Sequence, residues 1–341
     1  MSTDQASTDQ SSTSRLAEAP AKPPPPSRPT DGRPRVRLGA RGRQQERVFW
    51  LSVTPWLLGF LGLTLYPLGY ALWLSLTDSD GISPNTHFIG LDNYKELLSD
   101  PVTRDTLVRT GIFVAAVVPT GIIAGLALAV LINRPIRGRG IYRTLLYLPA
   151  VFPPVGAAMA FKMVFDRDTG AANGILGFLG GSPVTWLADP YARYVLLMLT
   201  LWGCGNAMII SLAGLQDMPK ELLEAARIDG ANSWQTFRRI ILPLLSPVIF
   251  FQVITGVIGA LQSIMPMLLA ANPSPAAVTS VPQGNYLYMI NVFAQYLANG
   301  RFGYASALLW VLFAVILVVT ALIFRLSSGA VFYNFEPETK K

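Results

Sequence analysis

One cysteine and one histidine occur in 341 residues. Cys204 and His87 stand alone, so no disulfide framework and no Cys/His metal site can be assembled within the chain. A single histidine in a polar loop also leaves no His-dependent catalytic triad. Charge is scarce too: Asp, Glu, Lys and Arg make up 14% of the chain, where a soluble domain carries about a quarter. Lysine is confined to six positions, Lys22, Lys95, Lys162, Lys220, Lys340 and Lys341, and none follows a glycine. A phosphate-cradling P-loop requires that step, so nucleotide hydrolysis of this type is excluded.

What the chain has is apolar length. It is 51% hydrophobic, and its mean hydropathy is +0.41. Six blocks are long enough to cross a bilayer, at about 48–76, 106–132, 144–165, 191–213, 246–270 and 303–326. Trp50, Trp56 and Trp73 suit the interfacial positions of the first. Prolines interrupt several blocks: Pro67, Pro119, Pro149, Pro153, Pro154 and Pro266. Each frees a backbone carbonyl that lipid cannot satisfy, so a broken span faces protein or a wet cavity. "GIIAG" (121–125) matches a small-xxx-small helix contact. Cys204 reads as a packed thiol, and Lys162, near a span end, as a snorkelling cation.

The net charge of +7 resides largely in arginines beside the spans. That pattern fits topology setting and anionic lipid, not nucleic acid. Arg33, Arg35, Arg37, Arg41, Arg43 and Arg47 precede the first span; Arg134, Arg137, Arg139 and Arg143 fill the loop after the second. Lys220, Arg227, Arg238 and Arg239 lie between the fourth and fifth, and Arg325, Lys340 and Lys341 follow the sixth. The opposite loops are poorer in both residues, which places both termini in the cytoplasm. Residues 1–47, with "AKPPPPSRP", have the composition of a disordered tail. The expected division is a basic, proline-rich cytoplasmic tail over 1–47, a six-span domain over 48–326 and a cytoplasmic tail over 327–341.

One loop on the basic side, 214–245, reads as a soluble helical hairpin. Pro219 suits a helix start, with Asp217 ahead of it as a cap. "KELLEAARI" is built of strong helix formers. Asp229-Gly230 ends it, and Asn232 or Ser233 caps a second helix running to Pro243. Leu222, Leu223, Ile228, Trp234 and Phe237 offer apolar anchors to a partner. Glu224 and Asp229 offer carboxylates, and Ala225 and Ala226 permit close approach.

The spacing Glu224-Ala225-Ala226, three residues, Gly230, nine residues, Ile240, one residue, Leu242-Pro243 matches at every defined position the EAA loop of binding-protein-dependent ABC importer permeases, which this chain resembles. "FIGLDNYKELLSDP" (88–101), "RTLLYLPAVFPPVGAAMAFKMVF" (143–165) and "RFGYASALLWVLF" (301–313) resemble the MalF-like permease subunit of sugar importers. The resemblance covers about residues 48–333. It implies an all-α polytopic membrane protein of six transmembrane helices with a cytoplasmic EAA coupling hairpin, the type I ABC importer permease fold. It implies a non-catalytic subunit in the bacterial inner (cytoplasmic) membrane, with no cofactor of its own. The expected partners are a second homologous permease, two copies of a cytoplasmic ATPase that binds ATP and Mg, and an extracytoplasmic solute-binding protein. Leu223, Glu224, Ala225, Ala226, Asp229 and Gly230 are the implied ATPase contact.

The resemblance also implies a sugar path near the bilayer midplane through Ala150 and Pro154, then Trp202, Gly203 and Asn206, then Gly256, Ala260 and Ser263. Trp202 and Asn206 carry the stacking and hydrogen-bonding capacity; helix packing is their alternative role. Gln252 and Gln262 are weaker candidates. Other readings of the chain are a permease of the same type for a glycerophosphodiester or amino acid, a secondary transporter, and a membrane scaffold. The second would need ionisable residues buried in mid-span. A scaffold leaves the broken spans and the hairpin without purpose.

Overall fold

A computed structural model describes residues 40–83, 86–135, 137–270 and 275–327. The expected tails up to residue 39 and from residue 328, with Arg33, Arg35, Arg37, Lys340 and Lys341, lie outside them. Helix dominates. Among the described residues the only extended pairing is a bridge between Thr77 and Phe88.

Two compact units divide the chain, Met1–Phe60 and Leu61–Lys341. The described part of the first is one helix, Ala40–Phe60. It starts inside the stretch expected to lack structure, because Gln44, Gln45 and Glu46 favour helix once an apolar run follows them. Trp56 stacks on Phe60 one turn later, ring centroids 5.6 Å apart.

Four helices are long and apolar enough to cross a bilayer: Gln45–Ser75, Pro101–Asn133, Ala192–Gln216 and Phe302–Ser327. Two further segments reach that length only as bent pairs. Arg139–Val151 and Pro154–Val164 meet at 97°, and Ser233–Leu244 and Ser246–Leu261 at 64°. Counted as one span each, the bent pairs bring the total to as many as six, in the expected order. We refer to them as spans one to six, span five being the Ser246–Leu261 limb.

Span three, expected as a single interrupted helix, is instead bent through about a right angle. Proline disfavours the helical region in the residue before it, and Phe152 (ψ 137°) and Pro153 (ψ 133°) are both extended. Span five ends at Leu261, short of the expected 270, and Met265–Leu269 forms a separate turn of helix.

Spans two and four lie against each other at backbone distance. A Cβ on Gly125 would fall 2.6 Å from the Ala207 Cβ and 2.8 Å from the Met208 nitrogen. Gly121, the other half of the small-residue pair, has nothing within 4 Å of that position. Towards the C-terminal ends of both spans, Leu126, Ala129, Ile132, Met208, Leu212, Leu215 and Leu245 form a closed apolar cluster. A larger cluster at their N-terminal ends gathers Phe113, Val117, Leu196, Leu199, Tyr288 and Leu308.

Polar ties fasten that N-terminal end. Asp100 caps span two, accepting from the N–H groups of Val102 (3.0 Å) and Thr103 (3.1 Å). Asn93, buried in the short helix Asp92–Ser99 after span one, donates to the carbonyls of Ser75 (2.9 Å) and Thr77 (2.8 Å), which the end of the preceding helix leaves open. Lys162 does not snorkel: its Nζ donates to the Ala270 carbonyl at 2.6 Å.

Candidate functional site: a helical hairpin and a cavity between spans

The hairpin is set by local chemistry. Its first helix is Lys220–Ile228, opened by Pro219 as N-cap. Asp217 does not cap it; that residue closes the preceding helix, its N–H donating to the Ala213 carbonyl at 3.1 Å. The helix ends in a paired closing motif. The Ala231 N–H reaches the Ala226 carbonyl (2.9 Å) and the Gly230 N–H the Arg227 carbonyl (3.1 Å). This geometry requires a left-handed residue, and Gly230 supplies it at φ +75°.

Asn232, not Ser233, starts the second helix. Its side chain accepts from the Gln235 N–H (2.8 Å), and Gln235 Oε1 accepts from the Asn232 N–H (2.9 Å). The root of the hairpin is packed into the bundle. Met218, Phe237 and Ile241 lie against the closed cluster of Leu212, Leu215 and Leu245. Leu245, 1% exposed, stands between the limbs of the 64° bend.

This placement divides the expected contact residues. Glu224, Ala225, Asp229 and Gly230 are exposed, and Leu223 is half-buried. Ala226 is 5% exposed, so its face is covered by the chain itself and is closed to a partner. Phe237, expected as an outward anchor, holds the root and stacks on Trp234 at 5.9 Å. Ile228 (86% exposed), Trp234 (66%) and Leu222 (44%) remain as bare apolar surface.

Between spans two, four and five lies a cavity of about 450 Å³. Gly121 and Gly259, where a Cβ would meet nothing within 4 Å, help keep it open, and Gly203 and Gly256 also line it. Its polar wall is Thr200, Asn206, Gln252, Thr255 and Ser263. The hydroxyls of Thr200 and Thr255 donate to their own helices, at the carbonyls of Leu196 and Phe251 (2.9 Å each), leaving lone pairs to accept. Gln252 Nε2 donates to Ser211 Oγ at 3.0 Å, while its buried Oε1 has no partner. Such a wall suits a neutral, hydroxyl-rich solute.

Gly203, Asn206, Gly256, Ala260 and Ser263 therefore meet around one cavity, and Gln252 and Cys204 join them. Trp202 and Pro154 do not line it. One residue along a helix turns the side chain by about 100°, and Trp202 points instead at the span-three break, against Phe152 (6.0 Å) and Phe161 (5.6 Å). Thr200 and Thr255 escaped notice in the sequence; a threonine on an apolar helix gives no signal of which way it faces.

A second pocket, of about 420 Å³, lies nearer the N-terminal ends of spans two and four. Arg109, Asp189, Arg193 and Asn285 line it with Ile112, Phe113 and Leu196. Phe113 borders both cavities.

Residues 118–340 match the family model described as binding-protein-dependent transport system inner membrane component. The chain is 35% identical over 300 residues to the probable ABC transporter permease protein YesP of Bacillus subtilis, covering 87% of this chain and 95% of that one. It is 34% identical to the lactose transport system permease protein LacF of Rhizobium radiobacter, covering 81% and 92%. Its fold is similar to a chain of a bacterial alginate ABC transporter solved with an alginate-bound periplasmic protein: TM-score 0.75, 20% identity, 85% of this chain and 97% of that one.

Proposed function

This chain belongs to the family of inner membrane components of binding-protein-dependent transport systems, and on that premise we propose that it forms half of the translocation path of an ATP-driven sugar importer. It is a multi-pass inner membrane permease of the ABC type. The basic hairpin side and both termini lie in the cytoplasm, and the spans lie within 48–326. No lysine follows a glycine, so the chain carries no P-loop, and ATP and Mg belong to two partner ATPases. A second permease and a solute-binding protein complete the assembly.

The observation that carries this reading is the hairpin. Glu224, Ala225, Asp229 and Gly230 are presented on a rigid turn whose root is packed at an elbow of span five. Ile228 and Trp234 would each gain about 1.5–3 kcal/mol on full burial in a partner's cleft. Closure of an ATPase dimer around the turn would rotate Ser233–Leu244 and, through Leu245, the limb that lines the cavity.

A sugar is the cargo favoured by the hydroxyl-matching wall of Asn206, Gln252, Thr255 and Ser263, and by the 34% identity to a lactose permease. Gly203 keeps the wall open. Trp202 and Pro154, with Phe152, stay exposed beside the cavity, and a second permease laid on that face would enclose them in the path.

Gentle purification of the tagged full-length chain, with mass spectrometry of what accompanies it, tests the assembly. A second permease and an ATPase should be recovered; absence of both sinks the reading. Uptake of labelled lactose, maltose and trehalose by cells with and without the chain tests the cargo.

A further inference from the structure

We propose that the pocket at the N-terminal ends of spans two and four is a second saccharide site, on the extracytoplasmic side, and that Phe113 is the gate between it and the inner cavity. This rests on the orientation and the sugar cargo proposed above.

The order of features along the paired spans gives the geometry. Arg109 and Arg193 stand in the outer pocket. Phe113, one turn beyond Arg109 and 8% exposed, comes next. Gly121 and Asn206 follow in the inner cavity, and then Leu126, Ile132, Leu212 and Leu215, which shut the path on the hairpin side. Phe113 is the residue of span two that lines both spaces. A solute moving from one to the other along that span passes its ring.

The outer pocket has the chemistry of hydroxyl recognition. The Arg109 Nη1 is held by the Gln283 carbonyl (2.7 Å) and the Arg193 Nε by the Pro190 carbonyl (3.1 Å). Both guanidiniums are thereby positioned with donors to spare. Asp189 accepts from the Gly284 N–H (3.1 and 3.2 Å) and forms no ion pair within 4 Å among the described residues. Asn285 is 3% exposed; its amide donates to the Ala192 carbonyl (3.0 Å), and its Oδ1 is buried without a partner. A buried unpaired acceptor calls for a donor. The pocket thus offers cationic donors together with a carboxylate and an amide oxygen, over the apolar floor of Ile112 and Leu196. An anion would satisfy the arginines and be repelled by Asp189. A sugar's hydroxyls, each donor and acceptor, serve all four. The inner cavity repeats the device with the orphan Oε1 of Gln252.

Cys204, the sole cysteine, lines the inner cavity and reports on the gate. In right-side-out membrane vesicles holding the complete importer, a membrane-impermeant methanethiosulfonate reagent is added outside. Phe113→Ala should speed modification of Cys204 several-fold, and Phe113→Trp should slow it. Equal rates in correctly inserted natural and Phe113→Ala chains overturn the gate. For the site itself, Ile112→Cys is placed in a Cys204→Ser chain, and its labelling is followed with lactose, maltose or trehalose present. The sugar that the importer carries should slow labelling, and Asp189→Asn should abolish that protection. Import of a sugar without protection of Ile112→Cys overturns the outer site and leaves the sugar importer standing. Import of none of the three overturns the sugar assignment of both cavities, while the Cys204 rates still decide the gate.

Discussion

Gln252 of span five donates its amide to the hydroxyl of Ser211 in span four across 3.0 Å, and both residues are buried. This bond ties the limb beyond the Leu245 elbow to the helix that leads into the hairpin. Ser211→Ala strands the buried Gln252 donor, and Gln252→Leu strands the buried Ser211 acceptor. We expect Ser211→Ala or Gln252→Leu alone to lower stability by about 1 kcal/mol. The double variant should cost less than the sum of the two. Thermal unfolding of the purified complex measures the cycle, and strict additivity would show that the bond does not couple the spans.

Gly230 holds φ +75° with no atom within 4 Å of a Cβ position. Substitution therefore strains the turn without a clash inside the chain. Gly230→Ala should cost about 1–2 kcal/mol locally, and Gly230→Asn less, since asparagine tolerates the left-handed region. Gly230→Val should insert into the membrane normally and lose most uptake. Undiminished uptake in that variant would remove the hairpin turn from the coupling path.

Asn232→Ala removes one half of the reciprocal cap with Gln235. The loss is worth about 1 kcal/mol. Hydrogen exchange should quicken over residues 233–236 while the core of span two is unchanged. An unaltered exchange pattern would show that packing at Phe237, not the cap, holds the second helix.

Gly125 and Gly121 have the same sequence signature and different surroundings. Gly125→Ala places a methyl 2.6 Å from the Ala207 Cβ and 2.8 Å from backbone. Spans two and four must separate, and assembly with the partners should fall sharply. Gly121→Ala meets nothing within 4 Å and should assemble normally. Co-purification yields compare the two; equal yields would contradict the backbone contact.

Asp100 makes the N-terminal cap of span two sensitive to pH. Burial raises its pKa, but hydrogen bonds from the Thr103 hydroxyl and from the N–H groups of Val102 and Thr103 outweigh that, and the carboxyl is held below its usual range. A depressed folded-state pKa contributes stability that is present above the unfolded value of about 4 and disappears as pH falls through the folded value. The natural chain should be more stable than Asp100→Asn at neutral pH, and that advantage should vanish on acidification below about pH 4. An advantage independent of pH would remove the charge from the account.

The sequence by itself determined which segments are apolar enough to cross a bilayer, their order, and the form of the hairpin. Hydropathy over some twenty residues is a sum that no single contact can overturn. Gly230 and the Asn232–Gln235 cap act through bonds within a few residues of themselves. The resemblance carried by Glu224 to Pro243 added the family, and the match over residues 118–340 agrees with it. Direction was left to the tertiary structure. Trp202 and Gly203 are adjacent, and only the packing of span four against spans two and five turns Gly203 into the cavity and Trp202 away. Ala225 and Ala226 read alike in sequence, yet one is exposed and the other covered. Phe113 looks like any core aromatic until the spaces on both sides of it are in place. In a segment that is apolar all round, periodicity carries no signal of which face meets protein, lipid or solute; that is fixed by residues distant in the chain.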